Sequence, residues 1–91
     1  MLNIVTSNKF LKDLQVAKKR GLDLSCLNEV VNKLAKQELL EPKYKDHALS
    51  GQYQDFRECH VKPDWLLIYS IDDEELELFL FRNGTHSDLF G

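Results

Sequence analysis

Cysteine is scarce in this chain, and a long apolar run is missing altogether. The two cysteines, Cys26 and Cys59, form no CxxC pair, which leaves out the usual cysteine motifs for zinc or dithiol redox chemistry. No apolar run approaches the roughly 20 residues that a membrane helix needs, and the opening MLNIVTSNKFLK lacks the apolar block of a signal peptide. We therefore expect a cytoplasmic protein with no membrane partner, whose cysteines are reduced, buried small side chains.

A basic surplus is also missing, because the formal net charge is −3. Proteins that bind nucleic acids usually carry a positive surplus, so the total alone argues against such a partner. The charges are unevenly distributed, however. Five acidic residues lie within residues 72–77, whereas lysines and Arg20 cluster within residues 9–20. A basic segment and an acidic segment on one small domain remain compatible with RNA, although solvated surface explains any single one of these residues equally well.

The length and pattern of the chain predict one α+β domain over residues 1–91. Residues 2–5 favour a starting or edge strand. A helix capped by Thr6 or Ser7 should then run to about Arg20, and a second helix, capped by Asp23 or Ser25, should end by about Leu39 or Leu40. The short link between the helices predicts an antiparallel helical hairpin.

The periodicity changes after residue 43. Residues 43–52 favour a loop, and three strand-like runs follow at about 53–61, 65–71 and 76–82. The links between these runs suit antiparallel neighbours. The predicted fold is therefore an N-terminal strand and an antiparallel helical hairpin, packed on a small antiparallel sheet whose other face is partly open.

All three histidines lie in the second half of the chain. Strand alternation places Cys59 and Val61 on the core face of the first of the three strands, so Glu58 and His60 should face the open side. Turns at Pro63 and Gly84 let the chain return over the sheet. Convergence is therefore sterically possible for His47, His60, Asp64, Arg82 and His86.

Such a set suits RNA cleavage without a metal or another cofactor. The 2′-OH attacks the adjacent phosphorus when a base removes its proton and an acid protonates the departing 5′-oxygen. Histidine can fill both roles because its ordinary pKa is roughly 6.5. Arg82 would offer permanently charged, planar donors to the phosphoryl oxygens, and Asp64 could act as a base or favour a protonated histidine.

Other interpretations of the same residues stay open. Each histidine taken singly is more often a surface or hydrogen-bonded residue than a catalytic one. Three histidines with Asp64 could hold zinc, but no HxxxH or CxxC pair supports this. Trp65 begins an apolar run that is most simply a core strand. Phe90 either stacks on a base or pins the tail to the sheet.

Three blocks carry a resemblance to a known family: YKDHALSG at 44–51, HVKPDWLLIY at 60–69 and RNGTHSDLF at 82–90. They resemble the YafQ branch of the RelE/ParE toxin superfamily, and the resemblance spans essentially the whole chain. It implies a bacterial type II toxin that cuts mRNA in the A site of the ribosomal 30S subunit. It also implies a cognate, DinJ-like antitoxin that holds the toxin inactive.

The resemblance assigns roles by motif position. It implies that Arg82 stabilises the phosphoryl transition state and that Trp65 and Phe90 support or stack on RNA. Glu58 stands where we expect the family's aspartate, and its retained carboxylate should face the substrate with altered reach. The implied acid–base set is His47, His60, Asp64 and His86. Which histidine acts as base and which as acid stays open.

Two other functions compete with the endoribonuclease. One is a ParE-like toxin that binds DNA gyrase and performs no chemistry. The other is a plain interaction module whose histidines are incidental. A pure binding protein has no need for the histidine, aspartate and arginine blocks, so these blocks favour the ribosome-dependent endoribonuclease.

Overall fold

A five-stranded sheet organises the computed structural model, which describes all 91 residues. The strand order is β1-β5-β4-β3-β2. The elements are β1 (Asn3–Thr6), α1 (Asn8–Lys19), α2 (Leu24–Ala35), β2 (His47–Ala48), β3 (Arg57–Lys62), β4 (Trp65–Asp72), β5 (Glu77–Gly84) and α3 (His86–Phe90). Short 3-10 turns occupy Pro42–Tyr44 and Gly51–Tyr53. None of the helices has the length and apolar character needed to span a membrane.

The α+β class is confirmed, but the sheet is mixed and not purely antiparallel. β2 to β5 are antiparallel neighbours, whereas β1 runs parallel to β5, from the pair Asn3 and Glu77 to the pair Thr6 and Leu80. The first and last strands are brought together by a crossover through the helical hairpin. Their relative direction is therefore set by the crossover and not by a tight turn.

The second helix ends earlier than predicted, at Ala35. The N–H of Glu38 donates to the carbonyl of Lys33 (3.0 Å), and the N–H of Gln37 donates to the carbonyl of Leu34 (2.9 Å). These two bonds, with Gln37 at φ 59°, form a Schellman motif. Glycine usually occupies that position, and its absence here hides the helix end in the sequence.

The main core lies between the sheet and the helical hairpin. As predicted, Cys59 and Val61 face it, and Trp65 is buried there at 3% exposure. Burial raises the pKa of the Cys59 thiol to about 12, so it stays protonated and unreactive at neutral pH. Cys26 is only partly buried, contrary to expectation.

The region predicted as a loop contains regular structure that positions a histidine. Residues 47–48 form β2 on the edge of β3, although the sequence predicted no strand there. The next strand correspondingly begins at Arg57 and not near residue 53, because residues 51–53 form a 3-10 turn. Two-residue edge strands carry too little periodicity to be recognised in sequence.

The C-terminal segment is a short helix and not only a turn. Thr85 and Asp88 form a capping box, and Arg20 holds the Asp88 carboxylate at 2.7 Å. A Cβ on Gly84, at φ 156°, would stand 2.9 Å from Asp88 Oδ2. Leu89 packs on Leu66 and Ile68, so α3 forms a second small core on the open face of the sheet.

Asp88→Asn is expected to lower the free energy of unfolding by about 1 kcal/mol at pH 7, because the neutral amide loses the charge-assisted hydrogen bonds from Arg20 and from the N–H of Thr85. The hydrogen bond from Arg20, followed by the backbone N–H of Thr85, holds the pKa of Asp88 well below its usual range. A carboxylate whose pKa is lowered by folding contributes stability above its unfolded pKa of about 3.9 and loses it as the pH falls through the folded value. Urea unfolding should therefore show the wild-type advantage at pH 7 and its decline below about pH 4.

Asp73→Asn is the matched control, because Asp73 is exposed and makes no hydrogen bond. It removes the same charge without disturbing a cap. Equal unfolding curves for the two variants at pH 7 would contradict the capping role of Asp88.

Candidate functional site

A buried carboxylate lies between two histidines on the open side of β3. The register of β2 and β3 pairs His47 with Glu58, and His60 lies two residues further along the same face. The Nε2 atoms of both histidines are 3.6 Å from Glu58 Oε1. Glu58 is only 4% exposed, whereas the side chain of His47 is half exposed. The structure therefore brings together three of the side chains that the sequence singled out.

The other ring nitrogen of each histidine faces a backbone carbonyl. His47 Nδ1 lies 2.6 Å from the carbonyl oxygen of Lys45, and His60 Nδ1 lies 3.3 Å from that of Pro63. A carbonyl oxygen only accepts hydrogen bonds, so each Nδ1 must carry its proton. Nε2 is then the nitrogen that gains or loses a proton, and it faces Glu58. Imidazoles oriented in this way beside a carboxylate are suited to general acid–base chemistry.

His86 and Asp64 form a second group. The Asp64 carboxylate accepts a hydrogen bond from the backbone N–H of His86 at 3.2 Å. It makes no hydrogen bond with an imidazole ring. Asp64 therefore positions the start of α3. The imidazole of His86 makes no hydrogen bond, and its ring centroid lies 5.0 Å from that of Phe90. The side chain is free to meet a substrate.

β4 separates the two groups. Glu58 pairs with Ile68, which in turn pairs with Arg82, so the carboxylate and the arginine sit on opposite sides of β4. Two strand spacings amount to roughly 10 Å. His47, Glu58 and His60 thus lie on one side of β4, and Arg82 and His86 lie on the other.

Arg82 is held by a residue that the sequence analysis did not identify. Its Nε and Nη2 donate to the Asp13 carboxylate at 2.7 and 3.0 Å, and the same carboxylate accepts the backbone N–H of Asn83 at 3.1 Å. These hydrogen bonds raise the pKa of Arg82. Its Nη1 makes no hydrogen bond and stays available for an anion. The one sequence signal for Asp13 is that it is the lone acid among the basic residues of α1.

The two aromatic candidates differ in exposure. The indole N–H of Trp65 donates to Asn83 Oδ1 at 3.2 Å inside the main core. Trp65 is only 3% exposed at the wall of the first cleft, which suits support of the site more than stacking on a base. Phe90 remains 38% exposed while its ring packs edge-on against Tyr53 at 5.7 Å. It pins the tail and still leaves part of its ring in solvent.

Two clefts flank the β3–β4 turn. One, of about 510 Å³, is lined by Arg82, Arg20 and Asp64 among others. The other, of about 370 Å³, is lined by His60 and by Lys43 and Lys45 among others. Lys62 lines both clefts. The first cleft carries three aspartates beside its three basic side chains, whereas the second carries three lysines and one glutamate, so the local basic surplus lies beside His60. Lysine and arginine along such a path can hold successive phosphates.

The arrangement of the histidine and carboxylate side chains also bears on the zinc interpretation. No group of three or more histidine, cysteine, aspartate or glutamate side chains is arranged to hold an ion. The trio on β2 and β3 offers nitrogen and oxygen atoms, but each histidine directs Nδ1 to a carbonyl and Nε2 to the carboxylate.

Comparison with known proteins places the chain among bacterial toxins. The family model for the bacterial toxin YafQ of type II toxin-antitoxin systems matches residues 2–91. The mRNA interferase toxin YafQ of Escherichia coli K12 is 40% identical over 90 residues, covering 98% of this chain and 96% of the relative. A metal-bound toxin from Helicobacter pylori is 57% identical, with a TM-score of 0.93 over 99% of this chain and all of the other. YafQ in the E. coli DinJ–YafQ complex is 38% identical, with a TM-score of 0.90 over the full length of both chains.

Proposed function

This chain belongs to the YafQ family of toxins from bacterial type II toxin-antitoxin systems, and on that premise we propose that it is an endoribonuclease that cuts mRNA in the ribosomal A site. The observation that carries this proposal is the buried Glu58 between two histidines whose Nδ1 atoms are fixed by carbonyls. A carboxylate that orients two imidazoles on an open sheet face supports general acid–base chemistry.

The reaction is an in-line displacement at phosphorus. A base removes the proton of the ribose 2′-OH, and the 2′-oxygen attacks the adjacent phosphorus while an acid protonates the departing 5′-oxygen. The products are a 2′,3′-cyclic phosphate and a 5′-hydroxyl. Attacking and leaving oxygens lie on opposite sides of phosphorus, so the base and the acid must flank it.

The two histidine groups meet that requirement. His47 and His60, with Glu58 behind them, lie on one side of β4, and His86 lies on the other. One group therefore serves as base and the other as acid, with the scissile phosphate held over β4. Glu58 touches the histidines and acts through them, so it is a positioning residue more than a direct contact of the substrate.

Arg82 and Asp64 complete the site. The unpaired Nη1 of Arg82 donates to a phosphoryl oxygen as negative charge develops there, which stabilises the transition state. Asp64 anchors the backbone of His86 and so fixes where its imidazole stands. Trp65 supports the floor of the site from the core, and Phe90 contacts the substrate from the tail.

The ribosome and an antitoxin are the proposed partners. E. coli YafQ forms a complex with DinJ, and a related antitoxin would hold this chain inactive. The toxin acts in the cytoplasm, where translating ribosomes are. Exposed lysines of α1, among them Lys9, Lys12 and Lys18, supply contacts for ribosomal RNA.

Primer extension on mRNA from translation reactions that contain the purified chain tests the proposal. We expect cuts that keep step with the reading frame and that vanish when ribosomes are omitted. A supercoiling assay with DNA gyrase is run in parallel. Intact mRNA together with inhibited gyrase would overturn the endoribonuclease in favour of a gyrase-binding toxin.

A further inference from the structure

Most of the aromatic side chains of this chain gather on the open face of the sheet. Five of the nine aromatic residues are there, including four of the five phenylalanines. We call this set the aromatic face: Tyr53, Phe56, Phe79, Phe81 and Phe90.

The rings form a continuous path away from the site. Tyr53 contacts Phe90 at 5.7 Å and Phe81 at 6.2 Å between centroids. Phe81 stacks on Phe56 at 4.7 Å with an interplanar angle of 19°. Phe79 closes the path, 6.0 Å from Phe81 and 6.4 Å from Phe56.

The path begins at the proposed catalytic residues. Phe90 packs against His86 at 5.0 Å between ring centroids, and Tyr53 packs against Phe90 at 5.7 Å. A chain of nucleotides that leaves the site along the sheet would therefore pass over Tyr53, then Phe81, and then Phe79.

Tyr53 and Phe79 belong to neither hydrophobic core, whereas Phe56 and Phe81 pack against the small core under α3 and remain partly exposed. The main core lies on the opposite face of the sheet, and α3 covers only the part of the open face around Leu66 and Ile68. Every member of the aromatic face is partly exposed. Val5, which pairs with Phe79 on the neighbouring strand β1, is 38% exposed.

We propose that the aromatic face is a stacking platform for the one or two mRNA bases next to the cleaved bond, with Phe81 and Phe79 as its main contacts. This inference rests on the proposed endoribonuclease function. Base–aromatic stacking tolerates any sequence because every base has a flat π-face, so the platform would strengthen binding without reading a codon.

The surroundings favour RNA over a protein partner and limit the length of the platform. The aromatic face is continuous with the site where the RNA must lie, because Phe90 packs against both His86 and Tyr53. Glu77 and Asp72 follow Phe79 and Ser70 on the same face. Their carboxylates repel phosphates, so the stacked segment should end at Phe79.

Substitution at Phe79 tests the platform on ribosomes programmed with a defined mRNA. Phe79→Leu keeps an apolar side chain of similar size but removes the ring, and kcat/KM should fall about tenfold, mainly through KM. Phe79→Trp keeps a ring and should stay within about twofold of wild type. Leu39→Ser, at a residue that is 98% exposed and away from this face, should leave the rate unchanged.

Crosslinking gives a second readout that does not depend on a variant's folding. Wild-type toxin is bound to ribosomes whose A-site codon carries 2′-O-methyl groups, which block attack, with 4-thiouridine at the neighbouring position. Irradiation should link the RNA to a peptide that contains residues 77–82. Crosslinks elsewhere and none to that peptide would overturn the platform.

The possible results of these experiments distinguish a failure of the platform from a failure of the endoribonuclease function. If wild type and Phe79→Leu cleave mRNA at the same rate, the platform is wrong and the proposed endoribonuclease function still stands. If Phe79→Leu instead loses affinity for the cognate antitoxin and cleaves normally, the face is a protein-binding surface and the platform is wrong. Absence of frame-locked cleavage by wild type rejects the endoribonuclease, and the platform with it.

Discussion

His86→Ala is expected to reduce cleavage of ribosome-bound mRNA by about 10²- to 10⁴-fold, the usual contribution of a positioned general acid or base. The imidazole makes no hydrogen bond in the structure, whereas the backbone N–H of His86 still binds Asp64 and Thr85 still caps α3. The melting temperature and the affinity for antitoxin should therefore hardly change. Primer-extension time courses on programmed ribosomes measure the rate, and circular dichroism measures the melting temperature.

Two neighbouring changes make the result specific. His86→Gln keeps a polar side chain of similar length but cannot transfer a proton at neutral pH, so it should be as inactive as His86→Ala. Ser87→Ala changes the next exposed residue of α3 and should cleave normally. Full toxicity of His86→Ala would show that proton transfer does not pass through His86, and the His47–Glu58–His60 group would then have to act alone.

Local periodicity accounts for the parts of the fold that were predicted correctly. Strand alternation alone places Cys59 and Val61 in the core and sets Glu58 and His60 on the other face, as the structure shows. The helical hairpin likewise follows from apolar spacing and from the cap at Ser7, which accepts the N–H of Phe10 at 2.9 Å. These features depend on neighbours within a few residues, so the sequence reveals them.

Features set by distant contacts were not predictable in the same way. β1 joins β5 as a parallel strand because of the helical crossover, and α3 is a helix because Leu89 gains a partner surface on β4. Neither the parallel pairing of β1 nor the formation of α3 leaves a periodic pattern in the sequence. A five-residue helix is too short to show one.

The environment of Arg82 depends on a bulge that the sequence does not mark. The register between β4 and β5 shifts after Ile68, so that two residues of β5, Phe81 and Arg82, lie opposite the single residue Ile68. Leu80 and Asn83 on either side both face the helices, which keeps Arg82 out of the core and within reach of Asp13. Because Asp13 and Arg82 are 69 residues apart in the sequence, no local sequence pattern predicts that they pair.

Arg82→Ala should lower cleavage by about 10²- to 10³-fold, the cost of removing a preorganised donor to developing negative charge. It should also lower the free energy of unfolding by roughly 1–3 kcal/mol, because the Asp13 side chain, only 14% exposed, loses its charged donors. A fall in activity alone would then be ambiguous. It could reflect lost chemistry or a weakened fold.

The double variant Asp13→Ala with Arg82→Ala separates these two effects. Removing both partners leaves no unpaired buried charge, so stability should recover relative to Arg82→Ala, whereas cleavage should not. Asp13→Asn alone should cost about tenfold in rate, since the guanidinium keeps its charge but loses its fixed orientation. Urea unfolding and cleavage rates are measured on the four proteins of the cycle, which are wild type, Asp13→Ala, Arg82→Ala and the double variant, and on Asp13→Asn. If cleavage returns in step with stability in the double variant, Arg82 holds the fold together and does not contact the phosphate.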